Sequence, residues 1–202
     1  MKLITLNETV TASNDQDAEI LRERMKAAGV LLINVMSSPG AGKTTLISRI
    51  IRDLTGVKIA VMEADIESDV DALRIEALGA KAIQVHTSGM CHMDAGMTAS
   101  AWDAMEAEDT ELIFLENVGN LICPAEYDTG AGLNLMLLSV PEGDDKPLKY
   151  PLMFQKSDAL VITKTDALPY FDFDFTKCEE RARKLNPNIR IFSVSAKTGE
   201  GM

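Results

Sequence analysis

An α/β fold, a parallel sheet with helices on both faces, is what this sequence predicts. Three observations carry it. Short aliphatic runs alternate with helix-like stretches of about ten residues, the pattern of strands joined by crossover connections. Several runs are apolar throughout rather than alternating, as strands buried on both faces are. Hydrophobic residues make up 46% of the 202 positions but aromatics only 5%, so the core is largely aliphatic.

In chain order, residues 13–28 (SNDQDAEILRERMKAA) open on capping residues. They then place Ala18, Leu21, Met25 and Ala28 at helical spacing before Gly29. This apolar stripe must pack on something, either the sheet or a partner. Residues 30–36 (VLLINVM) predict one buried strand, and 44–54 (TTLISRIIRDL) a helix. The alternation continues with a strand at 57–62, a helix at 70–78, a strand at 82–85, a helix at 95–106 and a strand at 111–115. Residues 133–140, 158–162 and 189–194 complete the strands, with a helix near 176–185. Residues 141–151 (PEGDDKPLKYP) read as a polar, proline-bounded loop.

The formal charge of −11 argues against a nucleic-acid partner, which needs a basic face to displace counterions. Three scattered cysteines make no disulfide framework and fit a reducing, cytoplasmic setting. The opening MKLITLNETV lacks the apolar core of a signal peptide, and no stretch has the roughly 20 apolar residues of a membrane span.

Between the strand at 30–36 and the helix at 44–54 lies SSPGAGKTT. Gly42, Lys43 and Thr44 match the second half of G-x-x-x-x-G-K-[ST], while Ser37 stands where the first glycine is usual. In such a loop Gly40, Ala41, Gly42 and Thr45 would present backbone N–H groups to phosphates at a helix N-terminus, with Pro39, which has no N–H, in the same phosphate-binding turn. Lys43 would neutralise the β- and γ-phosphates, and the Thr44 hydroxyl would ligate Mg²⁺. The placement between strand and helix is the context that separates the motif from a chance loop. Residues 30–202 then form a P-loop nucleotide domain, preceded by a helical extension at 1–29.

Lys164-Thr165-Asp166 follows a strand and matches the end of N-K-x-D, with Thr163 in place of Asn. A carboxylate at Asp166 accepts from guanine N1–H and the exocyclic amine, a pair adenine does not offer. Ser195-Ala196-Lys197 matches a second guanine loop, whose N–H groups face guanine O6. Both tripeptides in this order, downstream of the phosphate loop, favour GTP and GDP over ATP. Asp65 and Glu116 follow apolar strands, where side chains face the ligand crevice. Asp65 is assigned to Mg²⁺ and water positioning, Glu116 to the acidic position behind the metal, and Gly119 to a hinge sensing the γ-phosphate. No arginine near the phosphate loop offers a charge in cis, so slow turnover is expected.

Cys91-His92, in SGMCHMDAG, and Cys123, in ENVGNLICPAE, carry the donor types that Zn²⁺ and Ni²⁺ favour. Taken alone, such a dipeptide is more often an incidental buried thiol beside a surface histidine. Met90, Met93 and Met97 read as packing residues rather than soft ligands, His86 as a strand end and Cys178 as a helix residue. With three donors per chain, a complete site calls for a second protomer across a two-fold axis.

SPGAGKT at 38–44, EAD at 63–65, IQVHTSGMCHMDAGM at 83–97, ENVGNLICPAEYDTG at 116–130, KTD at 164–166 and SAKTGEGM at 195–202 together resemble the HypB family of hydrogenase nickel-incorporation GTPases. The resemblance implies a GTPase of the SIMIBI class, related to signal-recognition and MinD-type proteins. It implies a homodimer formed in response to nucleotide that places Ni²⁺ into the large-subunit precursor of [NiFe]-hydrogenase, together with a nickel-binding accessory protein. It also implies Cys91, His92 and Cys123 as metal ligands at the dimer interface, and a final helix after residue 202. No histidine-rich stretch or Cys-x-x-Cys occurs in these residues, so a nickel-storage role is not expected. Two other readings stand beside this one: a urease-type nickel-delivery GTPase, and a metal-binding scaffold whose nucleotide is structural.

Overall fold

The aliphatic runs pair into one sheet because the central ones are buried on both faces, while the edge strands are more polar and partly exposed. The computed structural model describes residues 7–65, 70–106 and 109–202. Seven strands run parallel: β1 (Leu31–Ser37), β2 (Ile59–Asp65), β3 (Lys81–His86), β4 (Leu112–Glu116), β5 (Leu133–Ser139), β6 (Ala159–Thr163) and β7 (Arg190–Ser193). Their order, β3-β2-β4-β1-β5-β6-β7, puts β1 at the centre. The helices are α1 (Asn7–Ala27), α2 (Lys43–Asp53), α3 (Val70–Glu76), α4 (Ala95–Met105), α5 (Cys123–Glu126), α6 (Lys146–Lys149), α7 (Pro151–Lys156) and α8 (Phe175–Leu185).

Alternate residues of each strand feed opposite cores. Val35, Val61, Phe114 and Leu137 face Leu46 and Ile47 of α2 and Ile75 of α3. On the other face, Leu32, Met62 and Leu115 lie beneath Leu21 and Met25 of α1 and Met105 of α4. The same face continues over β5 and β6, where Met136 and Ile162 meet Phe154 of α7 and Cys178 of α8. Burying each such side chain stabilises the fold by roughly 1.5–3 kcal/mol before conformational entropy is set against it. Helices therefore cover both faces, as expected.

Three details differ from the sequence reading. The stripe of α1 covers the sheet beside α4, but the helix starts at Asn7 and ends at Ala27, which leaves Ala28 exposed. Asp65 and Glu116 are the last residues of β2 and β4 rather than loop residues beyond them. Residues 141–151 are not a loop. A 3-10 turn (Val140–Glu142), α6 and the start of α7 occupy them, each with a proline in its first two positions. Proline presets the φ angle that a helical turn needs and gives up an N–H that would be unpaired there anyway. Among the described residues, no helix is long and apolar enough to cross a membrane.

Candidate functional site

Parallel strands all end on one edge, and the candidate residues lie on the strand ends, loops and helix starts along it. β1 ends at Ser37, which is extended and fully buried, so the missing first glycine imposes no strain. The positive φ angles fall instead at Gly40 (76°) and Gly42 (102°), where a side chain would be strained. Lys43 opens α2, and the exposed Thr45 follows on its first turn. The Thr44 hydroxyl donates to Glu116 Oε1 at 2.9 Å, and Lys43 Nζ stands 3.8 Å from the same oxygen. Gly119 comes so close to Pro39 that a Cβ there would lie 3.0 Å from its Cα and Cγ, so the loop after β4 rests on the phosphate loop.

Glu63 faces Glu116 across the β2–β4 pair. It belongs to a cavity of about 270 Å³ lined by Pro39, Lys43, Asp71, Gln84 and Glu116. Burial, then the neighbouring Glu116, pushes the Glu63 carboxyl up to about 10. Burial also raises Glu116, against the pull of Lys43 and Thr44. Among the described residues, Glu63 Oε1, Glu116 Oε2 and both amide atoms of Gln84 have no hydrogen-bond partner. Hard oxygen donors without partners, beside a threonine hydroxyl and a lysine, fit a Mg²⁺–phosphate complex. The Asp65 side chain lies outside the described residues. Glu63 and Gln84 were missed by sequence reasoning because they sit within strands, where a polar residue signals only that one position is not packed.

On the other side of β1, the loop after β6 grips the phosphate loop. The Thr163 hydroxyl donates to the Ala41 carbonyl at 2.7 Å, and Lys164 Nζ to the Gly40 carbonyl at 2.6 Å. Thr163, the departure from N-K-x-D, is thus a tie between two motifs. Ser195 Oγ donates to Asp166 Oδ1 at 2.6 Å, which aims the carboxylate, and Ala196 and the exposed Lys197 follow on the same turn. The Ala196 carbonyl accepts from Arg49 of α2. Glu142, in the segment read as a loop, accepts from Ser139 N at 2.8 Å and from the Ser38 hydroxyl, anchoring the phosphate loop to the end of β5.

The sulfur and imidazole groups meet beside this edge. Cys91 and His92 lie between β3 and α4, and Cys123 is the first residue of α5. Ligand atoms of all three come within 4.8 Å of one another. The two Sγ atoms are 2.6 Å apart, and Cys91 Sγ is 3.9 Å from His92 Nδ1. His92 is 7% exposed and stacks on Tyr127 with ring centroids 3.9 Å apart. Burial lowers its pKa, against the opposing pull of Asp94 and Glu126, so the ring is the neutral, ligating form at neutral pH. Asn120 Nδ2 donates to Cys123 Sγ at 3.4 Å. The hydrogen bond to Cys91, then burial, raises the Cys123 thiol. Of the methionines, Met93 is buried and Met97 packs on the same core, whereas Met90 is on the surface. His86 ends β3, and Cys178 is buried in α8.

Asn117 joins the two halves. Fully buried, it accepts through Oδ1 from Met93 N (3.1 Å) and Val118 N (2.9 Å) and donates to Asn34 Oδ1 of β1 (3.0 Å). The residue after Glu116 therefore holds the backbone next to His92. Asn117 and Tyr127 fall inside the family-like blocks, but Asn117 reaches Met93, 24 positions away, and Tyr127 stacks on the distant His92, so no local spacing announces them.

Comparison with known proteins agrees with this layout. Residues 31–193 match the family model described as CobW/HypB/UreG, nucleotide-binding domain. The hydrogenase maturation factor HypB of Azotobacter chroococcum is 45% identical over 202 residues, which are 100% of this chain and 66% of that protein. The chain thus spans about two thirds of the length of such relatives. The crystal structure of HypB from Helicobacter pylori in complex with nickel superposes with a TM-score of 0.88 at 41% identity, covering 92% of this chain and 87% of that one. The signal recognition particle receptor FtsY from Elizabethkingia anophelis, in complex with GDP, shares the fold at a TM-score of 0.58 and 14% identity, over 87% of this chain and 64% of that one.

Proposed function

The chain belongs to the HypB family of nucleotide-binding proteins, and on that premise we propose that it is a GTP-hydrolysing metallochaperone that inserts nickel into a [NiFe]-hydrogenase precursor. One observation carries the reading: the Cys91–His92–Cys123 cluster adjoins the phosphate-binding edge and is tied to it by two consecutive residues, Glu116 and Asn117.

In this reading the turn from Pro39 to Thr45 wraps the phosphates with backbone N–H groups, and Lys43 neutralises their charge. Asp166, aimed by Ser195, accepts from guanine, while Lys164, Ala196 and Lys197 flank the base. Mg²⁺, held by Thr44 and Asp65 with Glu116 behind them, supplies charge neutralisation at the γ-phosphate when bound. Lys43, Asp65 and Glu116 are the residues assigned to hydrolysis. Gly119 packs on Pro39, so a shift of the phosphate loop would be passed to Asn117, two residues earlier in the same loop. That displacement reaches Met93 N, and through it Cys91 and His92. Nickel is cargo here: two sulfurs and a neutral imidazole form a soft, incomplete ligand set that a second copy of the chain completes. The hydrogenase precursor and a nickel-binding accessory protein are the proposed exchange partners.

The test is a Ni²⁺ titration of the chain with GDP, with a non-hydrolysable GTP analogue, and with Cys91→Ala. Nickel affinity should differ between the two nucleotide states and fall sharply in the variant. Equal binding in all three samples would refute the coupled switch.

A further inference from the structure

The nucleotide and nickel readings leave α1 without a task beyond covering the sheet, yet its polar face reaches both loops of the cysteine cluster. Asn14 uses both ends of its amide. Oδ1 accepts from Ala95 N at 3.0 Å, four residues after Cys91, and Nδ2 donates to the Asp128 carbonyl at 2.9 Å, five residues after Cys123. One side chain therefore bridges the two segments that bring the sulfurs together.

Arg22, two turns further along α1, reinforces the second arm. Its Nη2 donates to both carboxylate oxygens of Asp128, at 2.9 and 2.8 Å, and its Nε to the Ala131 carbonyl at 3.1 Å. Asp128 also accepts from Gly130 N at 2.8 Å, which closes the turn on itself. Gly130 has a φ of 77°, and a Cβ there would meet Leu21 Cδ2 at 2.9 Å and the Ala18 carbonyl at 3.1 Å. The turn lies directly on α1, whose Ala18 and Leu21 are buried beneath it. The Arg22 bonds across this seat are charge-assisted, the stronger kind.

We propose that α1 is a clasp that keeps the two cysteine loops in register, with Asn14 as a positioning residue for the Cys91–His92–Cys123 cluster. The proposal rests on the reading of that cluster as a nickel site. Outer partners that orient metal ligands typically contribute about 10- to 100-fold in affinity. Asn14 touches no ligand atom, so its effect belongs at the low end of that range.

The experiment uses the full chain and Ni²⁺ alone, with a competing chelator for affinity and the sulfur-to-nickel charge-transfer absorption as a signature of ligand geometry. Asn14→Ala should weaken nickel binding about tenfold and alter the absorption band. Guanine-nucleotide affinity should stay as in the parent, because the side-chain bonds of Asn14 go to these two loops. Asn14→Asp, which keeps the acceptor for Ala95 but loses the donor to Asp128, should fall between parent and Ala. A parent-like affinity and band in Asn14→Ala would overturn the clasp. So would an equal loss of nickel and nucleotide affinity, which would mark general loosening of the fold. Absence of the band in the parent would overturn the nickel reading and the clasp with it, whereas a parent band that Asn14→Ala leaves unchanged would overturn the clasp alone.

Discussion

The phosphate loop and the cysteine cluster sit at one edge of one sheet, yet they are held by different means. The phosphate loop takes its shape mainly from backbone, one strand, one helix and two glycines with φ of 76° and 102°, and Thr163, Lys164 and Glu142 tie that shape to the neighbouring strands. The cluster has no such local frame. Cys91 and Cys123 are 32 residues apart and are brought together by side chains from the residue after β4, from the loop after α5 and from α1. A backbone device gives stable geometry for a ligand that always has the same shape. Side-chain ties can be loosened one at a time, which suits a site that must both hold and release its cargo.

Asn117 is where the contrast breaks most readily, since it belongs to both regions. Asn117→Ala leaves Met93 N and Asn34 Oδ1 without their partner in a fully buried place. Unmet buried polar groups cost about 1–3 kcal/mol each, and 1 kcal/mol moves Tm by about 2–4 °C in a chain of this size. A fall in Tm of about 5–10 °C is expected by calorimetry. Nickel affinity should also cease to depend on whether GDP or a GTP analogue is bound. A variant that kept this dependence would show that the two regions communicate by another route.

This difference also explains what could be read from the sequence. The strands were legible because runs such as LLINVMS and LIFLE are apolar on both faces, and the phosphate loop because its chemistry is contiguous. Residues 141–151 were misread because Pro141, Pro147 and Pro151 suggest a loop, although each opens a helical turn. The hint was Met153 and Phe154 directly after Pro151, both buried against β5 and β6. Within the site, Lys43, Thr44, Cys91, His92 and Cys123 carry recognisable chemistry in the chain itself. Asn14, Glu63, Asn117 and Tyr127 act only through partners far away in sequence, and a polar residue on a helix or strand says nothing about which partner it meets.

Glu63 tests whether the phosphate-side cavity is as rigid as the loop beside it. Its carboxyl is raised from 4.5 to about 10 by burial and then by Glu116. The folded chain keeps a proton that the unfolded chain releases across that interval, so stability is full below about pH 4.5 and is lost as pH rises toward 10. Without nucleotide or divalent cation, Tm should fall between pH 5 and pH 8. In Glu63→Gln, which stays neutral, this fall should shrink by several degrees. Equal slopes in parent and variant would mean that the cavity admits water freely.

The smallest effect is expected at Thr163, and it bears on the premise that backbone mainly shapes the phosphate loop. Its hydroxyl donates to the Ala41 carbonyl at 2.7 Å, inside the loop and between the two glycines of positive φ. Thr163→Val keeps the shape of the side chain and removes only that bond. The buried carbonyl then lacks its partner, a loss of about 1 kcal/mol, so guanine-nucleotide affinity should fall roughly fivefold. Nickel affinity in the nucleotide-free chain should not change, since no bond from Thr163 reaches the cysteine loops. If nucleotide affinity holds at the parent value, the glycines and α2 suffice and the contrast between the regions is sharper than drawn. If it falls as expected, threonine at this position acts through the phosphate loop, and the departure from the asparagine motif becomes a tie between phosphate and guanine recognition.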